Sequence, residues 1–163
     1  MDLTASGDHG DPVRIYSAGR CGGGQPLDTL DRTALTEGEF AWVMLGDNEH
    51  QALASVASTL GFVPRGDRPS TAAILRSGRQ TNGVVVTIRV PEQRGDRFGA
   101  YSVTAYVGRY YVVTTAAIRP EGWQAFRQRL EADPRQLRHG PDYLLHALLD
   151  DAVDQCLACA TRL

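Results

Sequence analysis

Residues 100–115 read AYSVTAYVGRYYVVTT, two runs rich in β-branched and aromatic residues with a glycine between them. Ala100 to Val107 and Tyr110 to Thr115 are predicted to form an antiparallel hairpin turned at Gly108 and Arg109, because a two-residue turn joins antiparallel strands and cannot join parallel ones. Gly83 to Val90 (GVVVTIRV) has the same composition and reads as a third strand, with the polar segment Glu92 to Gly99 (EQRGDRFG) as the loop that joins it to the hairpin.

Upstream, Val13 to Ser17 alternates as a short strand, and Gly19 to Pro26 (GRCGGGQP) reads as a loop by composition. Phe40 to Leu45 (FAWVML) is too short for a helix and is stopped by Gly46, which suits a buried strand. A helix is expected next. Asp47 or Asn48 offers an N-cap, Leu53, Val56, Ala57 and Leu60 follow at helical spacing, and Gly61 ends the run. Residues 62–70 (FVPRGDRPS) form a connector, and Thr71 to Arg76 is expected to be a short helix.

Downstream of Pro120, which suits a helix start, Trp123, Phe126 and Leu130 mark one apolar stripe on a helix ending near Pro134. A last helix opens at Pro141 and runs to Leu163, with Leu145, Leu149, Ala152, Cys156, Cys159 and Leu163 spaced alternately by four and three as in a heptad seam. A stripe that persists to the last residue suggests a helix cut short. The fold class is therefore α/β: a mixed β-sheet with an antiparallel hairpin, flanked by helices and ending in a truncated long helix. Residues 1–12 are expected to be a loose tail, and residues 13–163 a single domain.

Composition narrows the function. With 42% hydrophobic and 22% charged residues the chain is of ordinary globular type. A formal charge of -2 gives no electrostatic reason to expect nucleic acid or an anionic membrane surface as the main partner. All 17 basic residues are arginine, so Schiff-base and P-loop lysine chemistry is excluded. The longest apolar runs fall well short of the roughly 20 residues that cross a bilayer. Asp2, Asp8 and Asp11 do not fit a secretory signal, and three cysteines in a core-forming chain suit a reducing compartment.

Several segments resemble, in the same order, the cytoplasmic N-terminal domain of CorA-type magnesium and divalent-cation transporters. Val103 to Thr114 (VTAYVGRYYVVT) is similar to that family's hairpin, and Arg127 to Gly140 (RQRLEADPRQLRHG) to its linking helix and loop. Gly140 to Asp154 (GPDYLLHALLDDAVD) resembles the signature that opens the long stalk helix, which would make residues 141–163 the start of that stalk. Phe40 to Leu45 with Asp47 to Gly61 resembles the family's Trp-containing strand and acidic-started helix. The resemblance implies a regulatory and scaffolding domain on the cytoplasmic face of the cell membrane, part of a homo-pentamer in a full-length transporter. It also implies that the domain cannot transport ions alone, since the pore and its Gly-Met-Asn signature are absent from these residues. In isolation the domain is expected to be monomeric or weakly associated. The alternative is a stand-alone, poreless binding module with the same fold.

The connector departs from the family. Relatives carry a Glu-Asp pair there, whose Asp can contribute to a regulatory cation site between protomers. Here Pro64 is kept, but the only carboxylate is Asp67 between Arg65 and Arg68. This counts against metal sensing by the chain.

His146, Asp150 and Asp154 lie at i, i+4 and i+8 on one face of the last helix. The two carboxylates could hold Mg²⁺ weakly through its retained waters, with imidazole the poorer ligand. The competing reading is a solvated face with acids favoured near a helix start. No cofactor is required. Cys156 and Cys159 form a C-x-x-C without the second pair that zinc needs, and their place on the apolar stripe reads as packing. Gly22 to Gly24 lacks the Gly-Lys-Ser/Thr of a phosphate loop. His9, His50 and His139 have no nucleophile motif nearby, Trp42 and Trp123 read as core, and no catalytic constellation emerges, so the chain is not expected to be an enzyme.

Overall fold

The computed structural model describes residues 12–17, 20–65, 75–95, 97–117 and 120–161. The expected tail, apart from residue 12, the stretch 66–74 with Asp67, and the side chain of Trp123 lie outside the described residues. Seven strands form one sheet: β1 (Val13–Ser17), β2 (Arg20–Gln25), β3 (Phe40–Gly46), β4 (Leu75–Gln80), β5 (Gly83–Arg94), β6 (Arg97–Gly108) and β7 (Tyr111–Ala116), in the order β2-β1-β3-β7-β6-β5-β4. Three α-helices accompany them: α1 (His50–Leu60), α2 (Pro120–Glu131) and α3 (Pro141–Ala160). Every neighbouring pair is antiparallel except β3 and β7, which run parallel with Val43 opposite Val113. The sheet is mixed, as the sequence predicts.

Alternation along the strands sorts the core into two layers. On one face Val13, Val43, Leu45, Val85, Tyr106, Tyr111 and Val113 meet Val56, Ala57 and Leu60 of α1. On the other, Tyr16, Phe40, Trp42, Ala105, Val107 and Val112 meet Phe126 and Leu130 of α2 and Leu144 and Leu148 of α3. Farther along α3, Ala152 with the half-buried Leu145 and Leu149 covers Val86, Ile88, Val90 and Val103. Thr114, fully buried, accepts a 3.1 Å hydrogen bond from the Trp42 indole. That bond ties the parallel seam together from inside.

Five local expectations need correction. Gly19 to Pro26 is not simply a loop: Arg20–Gln25 forms the edge strand β2, held to β1 by backbone bonds that need no β-forming side chain. Gly22 permits the approach, since a Cβ there would sit 2.9 Å from the Ile15 carbonyl oxygen. Glu92 to Gly99 is likewise mostly strand; the pairing runs to Arg94 and Arg97, with Gly95 at φ +60° just past its end. Its polar composition reflects an arm extending past both neighbouring strands, because β4 pairs β5 only at 83–88 and β7 pairs β6 only at 103–108.

The short helix expected over Thr71 to Arg76 fails at its described end, where Leu75 and Arg76 pair in strand with Ile88 and Thr87. The ladder to a strongly β-forming neighbour outweighs local preference there. The β6–β7 turn falls on Arg109 and Tyr110, one residue later than predicted, because Gly108 pairs with Tyr111. The Tyr111 ring lies across Gly108, where a Cβ would come within 2.3 Å of it. Finally, Glu49 rather than Asp47 or Asn48 occupies the N-cap position of α1 without a side-chain cap bond, its carboxylate instead accepting a hydrogen bond from the Gly46 amide upstream. Gly61 ends α1 in the left-handed conformation (φ +78°), as its position predicts.

Candidate functional site

The last helix supplies the candidate site, and its buried faces decide which residues remain for function. Leu144 and Leu148 go deepest, beneath α2 and against Trp42, while Leu145, Leu149 and Ala152 lean on β5 and β6. The heptad seam read from the sequence therefore describes only the sheet-facing side. Cys156 and Cys159 lie half-buried on that side as free thiols, the Cys159 Sγ 3.8 Å from the Pro91 carbonyl oxygen, in keeping with packing.

His146, Asp150 and Asp154 are left on the exposed side. The His146 Nδ1 lies 3.1 Å from the Asp150 Oδ2, and both side chains are well exposed. Asp150 and Asp154 border an open groove of about 200 Å³ between α2 and α3. Phe126, Leu130, Tyr143 and Ala147 give the groove apolar walls, and Arg129 and Asp151 face each other across it. The structure thus places the two predicted carboxylates together on one rim, with the imidazole engaged by one of them. Among the described residues no three His, Cys, Asp or Glu side chains converge closely enough to hold a metal ion.

Sequence reading missed a chain of polar contacts beside this groove. Arg129 of α2 donates to Asp151, the Gln155 amide donates to the other Asp151 oxygen at 2.6 Å, and the Tyr101 hydroxyl of β6 donates to Gln155 at 3.0 Å. Two helices and the sheet are linked by one path. Burial raises the pKa of the Tyr101 hydroxyl, with the hydrogen bond to Gln155 opposing the shift. The spacing of Asp151 and Gln155 at i and i+4 was the available signal; their partners on α2 and β6 were not. At the far end of α2, the fully buried Tyr16 donates a 2.9 Å hydrogen bond to Glu131. Burial first, then the Glu131 charge and that hydrogen bond, push the Tyr16 pKa far above its ordinary value.

The connector begins inside the core. Phe62 stacks on Tyr106 and Tyr111 at centroid distances of 4.7 and 5.5 Å, and the Arg65 amide donates to the Tyr106 hydroxyl. His50 and His139 are exposed, and His9 lies outside the described residues.

No family model and no curated protein matches this sequence. Solved structures do. The soluble domain of CorA from Methanocaldococcus jannaschii superposes with a TM-score of 0.66 at 13% identity, covering 92% of this chain and 59% of that one. The fold is that of the CorA soluble domain. The complete CorA magnesium transporter from the same organism gives a TM-score of 0.61 at 11% identity, over 92% of this chain and 47% of that one. The full-length CmaX protein gives 0.64 at 15% identity, over 96% of this chain and 49% of that one. This chain therefore spans about half the length of the CorA transporter and of CmaX. Among the described residues no helix is long and apolar enough to cross a membrane.

Proposed function

We propose that this chain serves as the cytoplasmic regulatory and scaffolding domain of a CorA-like divalent-cation transporter. It does not transport ions by itself and catalyses no reaction. It acts by changes in packing between protomers of a homo-pentamer as cations bind and leave. The superposition on the CorA soluble domain across nearly the whole chain carries the reading. The exposed, acidic outer side of α3 supports it, because a helix whose deep face is already committed to its own sheet has a second side free for neighbours. His146, Asp150 and Asp154 offer weak, water-mediated contact to Mg²⁺ at most.

The experiment is to express the complete reading frame, extended downstream of Leu163, in cells lacking their own magnesium uptake, with and without this domain. Growth on low Mg²⁺ that needs the frame, and is altered by deleting the domain, is the expected result. A frame with no apolar spans, or uptake indifferent to the deletion, overturns the reading. It would favour the second one, a stand-alone poreless binding module, to which the connector lacking a Glu-Asp pair already points.

A further inference from the structure

Packing explains why Cys156 and Cys159 are half-buried, but not what two free thiols three positions apart on one helix can hold. Both lie on the stripe of α3 that carries Leu149 and Ala152, so both look toward the projecting β5–β6 hairpin. They meet it at one place. The Cys159 Sγ is 3.8 Å from the Pro91 carbonyl oxygen, and Cys156 lies within electrostatic reach of the Tyr101 hydroxyl. Tyr101 pairs with Val90, the neighbour of Pro91, so the two thiols face adjoining positions of the hairpin. Cys21 is remote from them, exposed on the edge strand β2.

Spacing decides between the two things a pair of thiols can do. Side chains at i and i+3 of a helix have Cβ atoms about 5–6 Å apart. A disulfide needs roughly 3.5–4.5 Å. Joining the two sulfurs directly would therefore unwind the last turn of α3, whereas a cation held between two thiolates spans the wider gap with the helix intact. Zinc is ruled out by number, because it takes four ligands and among the described residues no third His, Cys, Asp or Glu converges here. Mg²⁺ is ruled out by its preference for oxygen. What remains is a soft cation satisfied by two sulfurs.

We propose that Cys156 and Cys159 form a two-thiolate site for a soft monovalent cation of the Cu(I) class, seated between the last turns of α3 and the β5–β6 hairpin. Each thiol gives up its proton on binding. One cation is taken up, two protons are released, and the pair is left with a single negative charge and no change of oxidation state. The C-terminal end of a helix disfavours negative charge, so the thiols keep their protons until a cation of high thiolate affinity displaces them. That selects Cu(I) over harder metals. Half-burial against the hairpin also hinders a third, external thiol from approaching the bound ion. The site belongs to this chain alone and does not depend on the transporter reading.

Cu(I) titrated into the whole chain, without oxygen and against a chromogenic Cu(I) chelator in excess glutathione, tests this. Wild type and Cys21→Ser are both expected to retain one Cu(I) per chain. Cys156→Ser and Cys159→Ser should each bind at least about a hundredfold more weakly, a loss of roughly 2.8 kcal/mol. Serine is close to cysteine in size, circular dichroism checks that both variants fold, and alanine at the same positions repeats the measurement. X-ray absorption at the copper edge should show two sulfur neighbours, and sedimentation should show a chain no larger with copper than without. Cu(I) that the chelator and glutathione strip from wild type overturns the proposal. So does retention that neither serine variant weakens, retention lost in Cys21→Ser, or one copper shared between two copies.

Discussion

Replacing Leu144 by alanine separates two accounts of how α3 is held. Leu144 is fully buried among Trp42, Phe126, Leu130, Leu137 and Leu148, whereas Leu145, its neighbour on the heptad seam, is only half-buried against the β5–β6 side. Truncating a leucine removes about three carbons at roughly 0.8 kcal/mol each, or about 2.4 kcal/mol of transfer free energy. The rigid rings of Trp42 and Phe126 in the same cluster limit collapse, so the residual cavity brings the cost of Leu144→Ala to about 3–4 kcal/mol. Leu145→Ala, losing about half that contact, costs about 1–1.5 kcal/mol on the same reckoning. Leu157→Ala, 60% exposed, falls within about 0.5 kcal/mol of wild type. In a domain of this length each kcal/mol moves the midpoint by about 2–4 °C, so Leu144→Ala should melt about 6–16 °C lower. Urea titration of the three variants, read as midpoint shifts at unchanged slope, gives the comparison directly. A Leu145→Ala cost equal to or above that of Leu144→Ala would refute the reasoning and make the heptad seam the true packing face.

Titration of the chain with MgCl₂ by calorimetry should show affinity no better than about millimolar, the weak end for oxygen-ligand sites of hard cations. Asp150→Ala and Asp154→Ala should change that weak signal little, and micromolar binding abolished by either would show a true site on this helix face. Arg129→Gln should cost no more than about 1 kcal/mol, with the difference fading in high salt, because the guanidinium is 64% exposed. The raised pKa of Tyr16 means that the unfolded chain releases this proton near pH 10 while the native chain keeps it. Stability from this group is therefore complete below about pH 10 and is lost as pH rises beyond it. Spectrophotometric titration should find one tyrosine silent until the protein unfolds in alkali, and Tyr16→Phe should flatten the alkaline decline.

The strands that the sequence made plain are those whose side chains carry the signal. Phe40 to Leu45 and the apolar run of β7 sit between two helical layers, so burial on both faces gives them near-continuous apolar sequences, while β5 and β6 are marked by their Val, Ile and Tyr positions. Strand β2 was invisible because its reason for being a strand is the exposed backbone of β1, a neighbour that Gly22 merely permits. The arm was misread for a related cause. Beyond its neighbours it needs no apolar face, and pairing along Pro91 to Ala100 is sustained by the backbone ladder. Of the site, the placement of His146, Asp150 and Asp154 on one exposed face was legible from helical periodicity. The groove was not, since it depends on where α2 crosses, and the same unknown concealed the pairing of Asp151 with Arg129.

The single parallel pairing in the sheet has a consequence for how the chain reaches this structure. On one side of it β1, β2 and β3 pair with one another within the first part of the chain, and on the other β4 to β7 follow one another as an unbroken meander. Each group closes shorter loops than the seam does, the widest being Val13 with Val43, so each can assemble sooner and by itself. Joining them requires contacts such as Val43 with Thr114, 71 positions apart. The seam is therefore the slow, late event of folding, and the two groups behave as prefabricated halves of one sheet. Severing the chain between them, within 66–74, leaves each half its own strand pairings, so a polypeptide ending near Arg65 and another beginning near Leu75 retain what they need to recognise each other and reconstitute the whole.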